Sequence, residues 1–372
     1  MTTEAIASTR HHGGNPWAAA QPHGDATGEL LDFSVDVNPC GCPASVRRLI
    51  LEHLDDIERY PEPSAQRLRD AIAATHGISA AHIVVGNGSA ELIALIPRVQ
   101  PIARALIIGP TFTEYAWAVE QAQGAVEYVF AQPNDRFMLS WDESSWRRRL
   151  AAVDAVFLCN PNNPTGTLLS RRQVRQLAQW CAAAETQLIV DEAFLELTDE
   201  PAATSVVPDI VEFSHLSVIR SLTKSHAIPG LRLGYLAASE VCVDRLRAAQ
   251  PAWPLNAFAL AVGPALLHEH AYLERSRCEV AQLRRQLSTA LDGLPGLQPY
   301  PSTTNFILCR VTHPALTSAA LTERLAGEGL LIRNCDSFPG LDLERFIRVA
   351  VRRASDNVRL VSALERIMRR AG

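Results

Sequence analysis

The 372-residue chain carries 35 Lys and Arg against 40 Asp and Glu, a net charge of -5 at pH 7 with neutral histidines, and 47% of its residues are hydrophobic. That balance gives no electrostatic case for a nucleic-acid or anionic-membrane partner, supplies core enough for two lobes, and makes a small-molecule ligand the expectation. No stretch reaches the roughly 20 apolar residues of a membrane span and the polar opening, residues 1–14, has no apolar secretory core, so the expected location is the cytoplasm.

In chain order, the first 45 residues are rich in Gly, His and Pro and read as irregular apart from an apolar run at 31–34. This segment is expected to pack against the second lobe. From about residue 80 to 240, β-branched runs alternate with helical patterns, the spacing of βαβ units around a mostly parallel sheet. Strands are predicted at 83–85, 105–108, 126–130, 155–159, 187–191, 217–220 and 233–237, with a helix over 170–184 where Val174, Leu177, Ala178 and Cys181 recur at helical spacing. After Pro251-Ala252-Trp253-Pro254 the pattern changes to long helices, notably 272–291, and then to apolar runs at 304–311, 329–333 and 345–351. The expected division is therefore an N-terminal segment 1–45, a large α/β domain 46–255 and a smaller α+β domain 256–372. Eight scattered cysteines, several inside apolar runs, read as reduced buried thiols, and Cys40-Gly41-Cys42 lacks the spacing of a metal site. No metal is expected.

Three loops at predicted strand ends carry chemistry. Gly86-Asn87-Gly88-Ser89-Ala90-Glu91 reads as strand, glycine turn and helix start, a geometry that aims backbone N–H groups at a phosphate. Taken alone, the same turn reads more readily as a plain βα connection with Ser89 as helix cap, because small glycine turns are common. Leu188-Ile189-Val190-Asp191 ends an apolar strand on an acid, where the carboxyl ends of a parallel sheet line a ligand crevice; Asp191 as cap of the next helix is the other reading. Ser221-Leu222-Thr223-Lys224 sets a lysine at the end of an apolar run with Arg232 eight residues on, an amine beside a guanidinium and hydroxyls that suit an aldehyde cofactor bearing a phosphate. In the second lobe, period-two alternation in Phe346-Ile347-Arg348-Val349-Ala350-Val351-Arg352 puts Arg348 and Arg352 on one strand face, either gripping anions in a cleft or lying on a solvated edge.

Asn160-Pro161-Asn162-Asn163-Pro164-Thr165-Gly166, Asp191-Glu192-Ala193-Phe194 and Ser221-Leu222-Thr223-Lys224 with Arg232, in this order, resemble the fold-type I pyridoxal-phosphate enzymes of the histidinol-phosphate aminotransferase branch. The resemblance covers nearly the whole chain. It implies a seven-stranded mostly parallel sheet between helices, pyridoxal 5'-phosphate as cofactor, Lys224 as its covalent amine, Asp191 on the pyridine nitrogen and Asn163 on the ring hydroxyl. It further implies that Gly88, Ser89, Ala90, Ser221, Thr223 and Arg232 hold the cofactor phosphate, that Phe112 stacks on the ring, and that Tyr60 reaches the phosphate of a neighbouring subunit in a homodimer.

Within the branch, the details resemble the threonine-phosphate decarboxylases of the cobalamin pathway. His12-Gly13-Gly14-Asn15, Asp32-Phe33-Ser34 with Asn38-Pro39, and Phe194 in place of a tyrosine carry that likeness. The implied reaction is decarboxylation of L-threonine O-3-phosphate to (R)-1-amino-2-propanol O-2-phosphate, with an aminotransferase on histidinol phosphate and 2-oxoglutarate as the alternative. By this resemblance Asn163 and Arg348 meet the substrate carboxylate, Arg333 and His12 meet its phosphate, and Asn38 and Arg352 complete the substrate set. His12 reads equally as a surface histidine. The departures are Val35-Asp36-Val37, Ser225-His226 after the lysine, and Pro254-Leu255 before Asn256.

Overall fold

The computed structural model describes residues 13–15 and 30–371. Its large sheet has the order β2-β8-β7-β6-β5-β3-β4, built from β2 (Ile83–Asn87), β3 (Arg104–Gly109), β4 (Ala125–Phe130), β5 (Ala155–Cys159), β6 (Gln187–Asp191), β7 (Leu216–Ser221) and β8 (Leu233–Ala237). β3 to β7 pair in parallel, while β8 runs antiparallel to both β2 and β7. The expected mostly parallel seven-stranded sheet is the one observed.

Both faces are buried, as continuous apolar runs in parallel strands require. In β3, Leu106 and Ile108 enter one core while Ala105 and Ile107 enter the other. The helix predicted over 170–184 spans Arg171–Ala183; its start is fixed by Ser170, whose side chain accepts from the Gln173 amide N–H in a capping box.

The second lobe holds a four-stranded antiparallel sheet, β12-β13-β10-β9, made of β9 (Leu297–Pro299), β10 (Phe306–Val311), β12 (Arg333–Asn334) and β13 (Phe346–Ala350). A long helix, His270–Asp292, and the terminal helix, Ala354–Ala371, cover it through Leu287, Leu291, Leu360 and Leu364. The run predicted at 329–333 is divided: β11 (Leu330–Leu331) pairs in parallel with β1 (Leu31–Asp32), and β12 joins β13 in the four-stranded sheet. The described part of the N-terminal segment thus joins the second lobe, with Phe33 fully buried in its core and the Phe33 carbonyl accepting from the Ala350 N–H at 2.8 Å.

Candidate active site

Topology brings the three motif loops to one sheet edge. The registers Cys159↔Asp191, Asp191↔Ile219, Ser221↔Gly234 and Asn87↔Leu233 put the carboxyl ends of β2, β5, β6 and β7 beside the start of β8, because β8 alone runs the other way. The loops after those ends line a cavity of about 320 Å³ that is closed from the other side by the second lobe. Its charged residues are Lys224, Arg232, Arg333 and Arg348 against Asp36 and Asp191, a cationic excess that suits a ligand with more than one anionic group.

In the β2 turn the helix cap is not Ser89. Gly88, at φ +78°, occupies the cap position of the helix Ser89–Val99, so Ser89 is its first residue and caps nothing. A Cβ on Gly88 would meet the Arg232 guanidinium at 2.5 Å, and one on Gly234 would meet the Ser89 nitrogen at 2.6 Å. Two glycines therefore bring a helix N-terminus and an arginine to one spot, a donor set suited to an anion. Ser89 and Arg232 line the cavity; Ser221 and Thr223 are buried behind it, and the Thr223 hydroxyl donates to the Leu233 carbonyl at 3.4 Å.

Asp191 is buried at the end of β6, accepting from the Tyr115 hydroxyl at 2.7 Å and from the Ala193 N–H at 2.9 Å. It both closes the turn that follows and lines the cavity. Burial raises its carboxyl above the ordinary range, against the pull of those two hydrogen bonds. The neighbouring Cys159 thiol is pushed up to about 12 by burial and by the Asp191 charge, so it remains a neutral thiol.

Lys224 sits in the one-turn helix Leu222–Ser225, with its Nζ 5.8 Å from the centre of the Phe194 ring. Burial lowers its amine below the ordinary lysine value, against the attraction of Asp36. An amine so shifted spends more of its time as the free base that attacks an aldehyde. Asn38 lies behind the lysine rather than in the cavity: its N–H donates to the Lys224 carbonyl at 2.9 Å and its side-chain amide to the Ser225 carbonyl at 2.8 Å.

The second lobe contributes a pair of arginines. Arg333 and Arg348 are register partners on β12 and β13 and both face the cavity. Arg348 donates to Asn163 Oδ1 and to the Ser34 carbonyl at 3.1 Å and forms an ion pair with Asp36 Oδ2 at 2.6 Å, while its guanidinium carbon lies 5.1 Å from the centre of the Phe306 ring. Arg352 is placed elsewhere: β13 ends at Ala350, and Arg352 donates to Asp356 at 3.1 Å and to the Asp32 carbonyl at 3.1 Å, outside the cavity lining.

Phe112 and Phe194 line the cavity, and Gly88 and Ala90 flank its helix-start wall. Tyr60 does not reach it; the side chain is 80% exposed and stacks on Trp253 at 4.3 Å between ring centres. His12 lies outside the described residues. Asp36 and Tyr115 were not among the expected site residues. Tyr115 lies in the first turn of the helix Glu114–Gln121, three positions after Phe112; Asp36 stood out only within the departure Val35-Asp36-Val37, with no role attached to it.

The aminotransferase class I and II family matches residues 28–367 of the chain. A threonine-phosphate decarboxylase of Salmonella typhimurium is 37% identical over 358 residues, covering 96% of this chain and 96% of that protein. Among solved structures, a histidinol-phosphate aminotransferase from Clostridium acetobutylicum superposes with a TM-score of 0.84 at 28% identity, over 92% of this chain and all of that one. An L-threonine-O-3-phosphate decarboxylase from Porphyromonas gingivalis gives a TM-score of 0.80 at 28% identity, over 91% of this chain and 99% of that one.

Proposed function

The chain belongs to the aminotransferase class I and II family, and from that membership we propose that it is a pyridoxal-phosphate enzyme that decarboxylates L-threonine O-3-phosphate to (R)-1-amino-2-propanol O-2-phosphate in cobalamin synthesis. The observation that carries the substrate is the arginine pair. Arg333 and Arg348, register partners in the second lobe, face Lys224 across one cavity, so one guanidinium is available for an α-carboxylate and the other for a phosphate.

The residues fit the cofactor. Gly88, Ser89, Ala90 and Arg232 form the phosphate cradle, with Ser221 and Thr223 behind it, and Phe112 supplies a ring to stack on. Asp191, held by Tyr115, is the acid for the pyridine nitrogen, and Asn163 is placed for the ring hydroxyl. Pyridoxal phosphate, when bound, supplies the sink for the electron pair left as the Cα–carboxylate bond breaks.

Lys224 would hold the cofactor through its side-chain nitrogen, and once released and protonated its ammonium would deliver the proton to Cα, leaving the neutral amine. Asn163 and Arg348 orient the carboxylate, and Arg333 anchors the phosphate. Phe194 presents only carbon where a hydroxyl would otherwise bond the ring oxygen. His12, Asn38 and Arg352 belong to the reading as residues of the substrate side, Asn38 acting through the backbone of Lys224.

Tyr60 supports a homodimer with shared sites. With Leu51, Leu54 and Ile57 it forms an exposed apolar face that a second copy would cover. Mixing Tyr60→Ala with Lys224→Ala protein tests this: recovery of activity from two inactive parents is the expected result, and none is the result against it. Among the described residues no helix is long and apolar enough to cross a membrane.

The deciding experiment is mass spectrometry of products from cofactor-loaded enzyme with O-phosphothreonine and, separately, with histidinol phosphate plus 2-oxoglutarate. Aminopropanol phosphate and carbon dioxide without need of a keto acid are expected. Glutamate from the second mixture, with no carbon dioxide from the first, would assign an aminotransferase instead.

A further inference from the structure

Asp36 and Arg348 form a buried ion pair inside the cavity, with side chains 3% and 5% exposed. The pair is joined by a single contact, Asp36 Oδ2 to Arg348 Nη2 at 2.6 Å, not by the two parallel bonds that a guanidinium can offer a carboxylate. Asp36 Oδ1 and Arg348 Nε are both buried, and among the described residues neither has a hydrogen-bond partner. A pair serving the fold alone would be expected to close both ends, since a buried polar atom without a partner opposes folding.

The open ends lie where chemistry is needed. Asp36, Arg348, Asn163 and Lys224 all line the cavity, and Asp191, the other acid present, is already engaged by Tyr115 and the Ala193 N–H. Asp36 is therefore the acid that holds Arg348, and a substrate carboxylate has to compete with it for the same guanidinium.

We propose that Asp36 is a replacement counter-ion for Arg348: it pairs with the guanidinium when no substrate carboxylate is present, gives way on binding, and returns once carbon dioxide has left. The inference rests on the decarboxylase reading and deepens it. In that reaction the bond between Cα and the carboxylate carbon breaks, its electron pair stays with Cα, and one proton added to Cα completes the exchange of RCO2⁻ and H⁺ for RH and CO2. The anion that Arg348 held is consumed, and the guanidinium would be left buried and uncompensated beside the product. Amino-group transfer creates no such state: an amino acid donor becomes a keto acid that keeps its carboxylate, and histidinol phosphate brings no carboxylate to lose. The backbone is fixed on both sides of Asp36, by Asp32 accepting from the Ser34 N–H at 2.8 Å and by Asn38 on Lys224, so a side-chain rotation is all the exchange requires. The charges facing Asp36 are Arg348, Lys224, Arg333 and the more distant Asp32; burial raises its carboxyl against the three cations, which eases its release from Arg348 when a second carboxylate arrives.

The test is calorimetric binding to the holoenzyme of 3-phosphonooxybutanoate, which keeps the carboxylate and phosphate but lacks the amine, and of isopropyl phosphate, which lacks the carboxylate as well. Asp36→Asn, and independently Asp36→Ser, should bind the first probe about tenfold or more tightly than the natural chain does, the scale of one charge-assisted contact, with affinity for the second held within about twofold. Variants that leave the discrimination between the probes unchanged, or reduce it, overturn the counter-ion role. So does loss of cooperative folding in both variants, which would make the pair structural. Carbon dioxide release by the natural chain judges the decarboxylase reading separately, because neither probe turns over.

Discussion

Two buried ion pairs face each other across the chemistry of this molecule, and they are built differently. Glu192 and Arg220, on the strand ends that carry Asp191 and Ser221, meet at 2.8 Å with side chains 1% and 4% exposed. Glu192 also accepts from the Val206 N–H at 2.8 Å and the Ser205 hydroxyl at 2.7 Å, Arg220 has a second partner in Glu196, and neither residue leaves a buried side-chain atom unpartnered. Asp36 and Arg348 are as deeply buried but open at both ends. Desolvation is comparable in the two, so the difference lies in what completes the bonding: the protein itself in the first pair, an incoming ligand in the second. A closed network fixes the strand ends that carry Asp191 and Ser221; an open one leaves bonding positions on its cation unfilled.

The largest effect expected from this contrast is on stability. Arg220→Ala would leave Glu192 buried without its principal cation and should cost about 3–5 kcal/mol, read as a lower denaturant midpoint in urea unfolding. A loss under about 1 kcal/mol would mean that water replaces the guanidinium and the network is not closed. Arg348→Ala should separate the two quantities. We expect kcat/KM with O-phosphothreonine to fall about 100-fold, roughly 2.7 kcal/mol of transition-state stabilisation, while cofactor affinity changes by less than about twofold. A variant that unfolds as readily as Arg220→Ala and loses turnover only in proportion would erase the distinction between the pairs.

The contrast also governs what could be read from the chain. The cofactor side was legible because each part is local: a strand, a turn former and one reactive residue within about ten positions, as in Ser221 to Arg232. The sheet, its mostly parallel order and the glycine cradle follow from the same short-range patterns. The substrate side is assembled from residues far apart in sequence, such as Ser34 and Arg348, separated by 314 positions. Alternation along β13 identified Arg348 but also placed Arg352 with it, because the pattern does not show that the strand stops at Ala350. Ser89 was legible as a helix start, yet its neighbour takes the cap, since the left-handed conformation needed there favours glycine. Asp36 stood out only as a departure in Val35-Asp36-Val37, which named no partner; the tertiary approach of β13 supplies one in Arg348.

The smallest effect expected lies at the rim of the closed pair. His76 contacts the Tyr235 hydroxyl at 2.6 Å, and burial, with the Arg220 charge adding to it, lowers its imidazole from 6.5 to about 3. The folded state therefore keeps His76 neutral while the unfolded chain takes up a proton below 6.5. In that window the unfolded state binds more protons, so stability falls as pH drops from 6.5 toward 3. At pH 5.5 the loss should be about 1 kcal/mol relative to neutral pH, and His76→Gln should remove that part of the slope while preserving a polar partner for Tyr235. Because Arg220 is one of the two causes of the shift, combining His76→Gln with Arg220→Ala should give less than the sum of the separate changes in pH 5.5 unfolding. Strict additivity would mean that burial alone keeps the histidine neutral and that the field of the closed pair stops short of it.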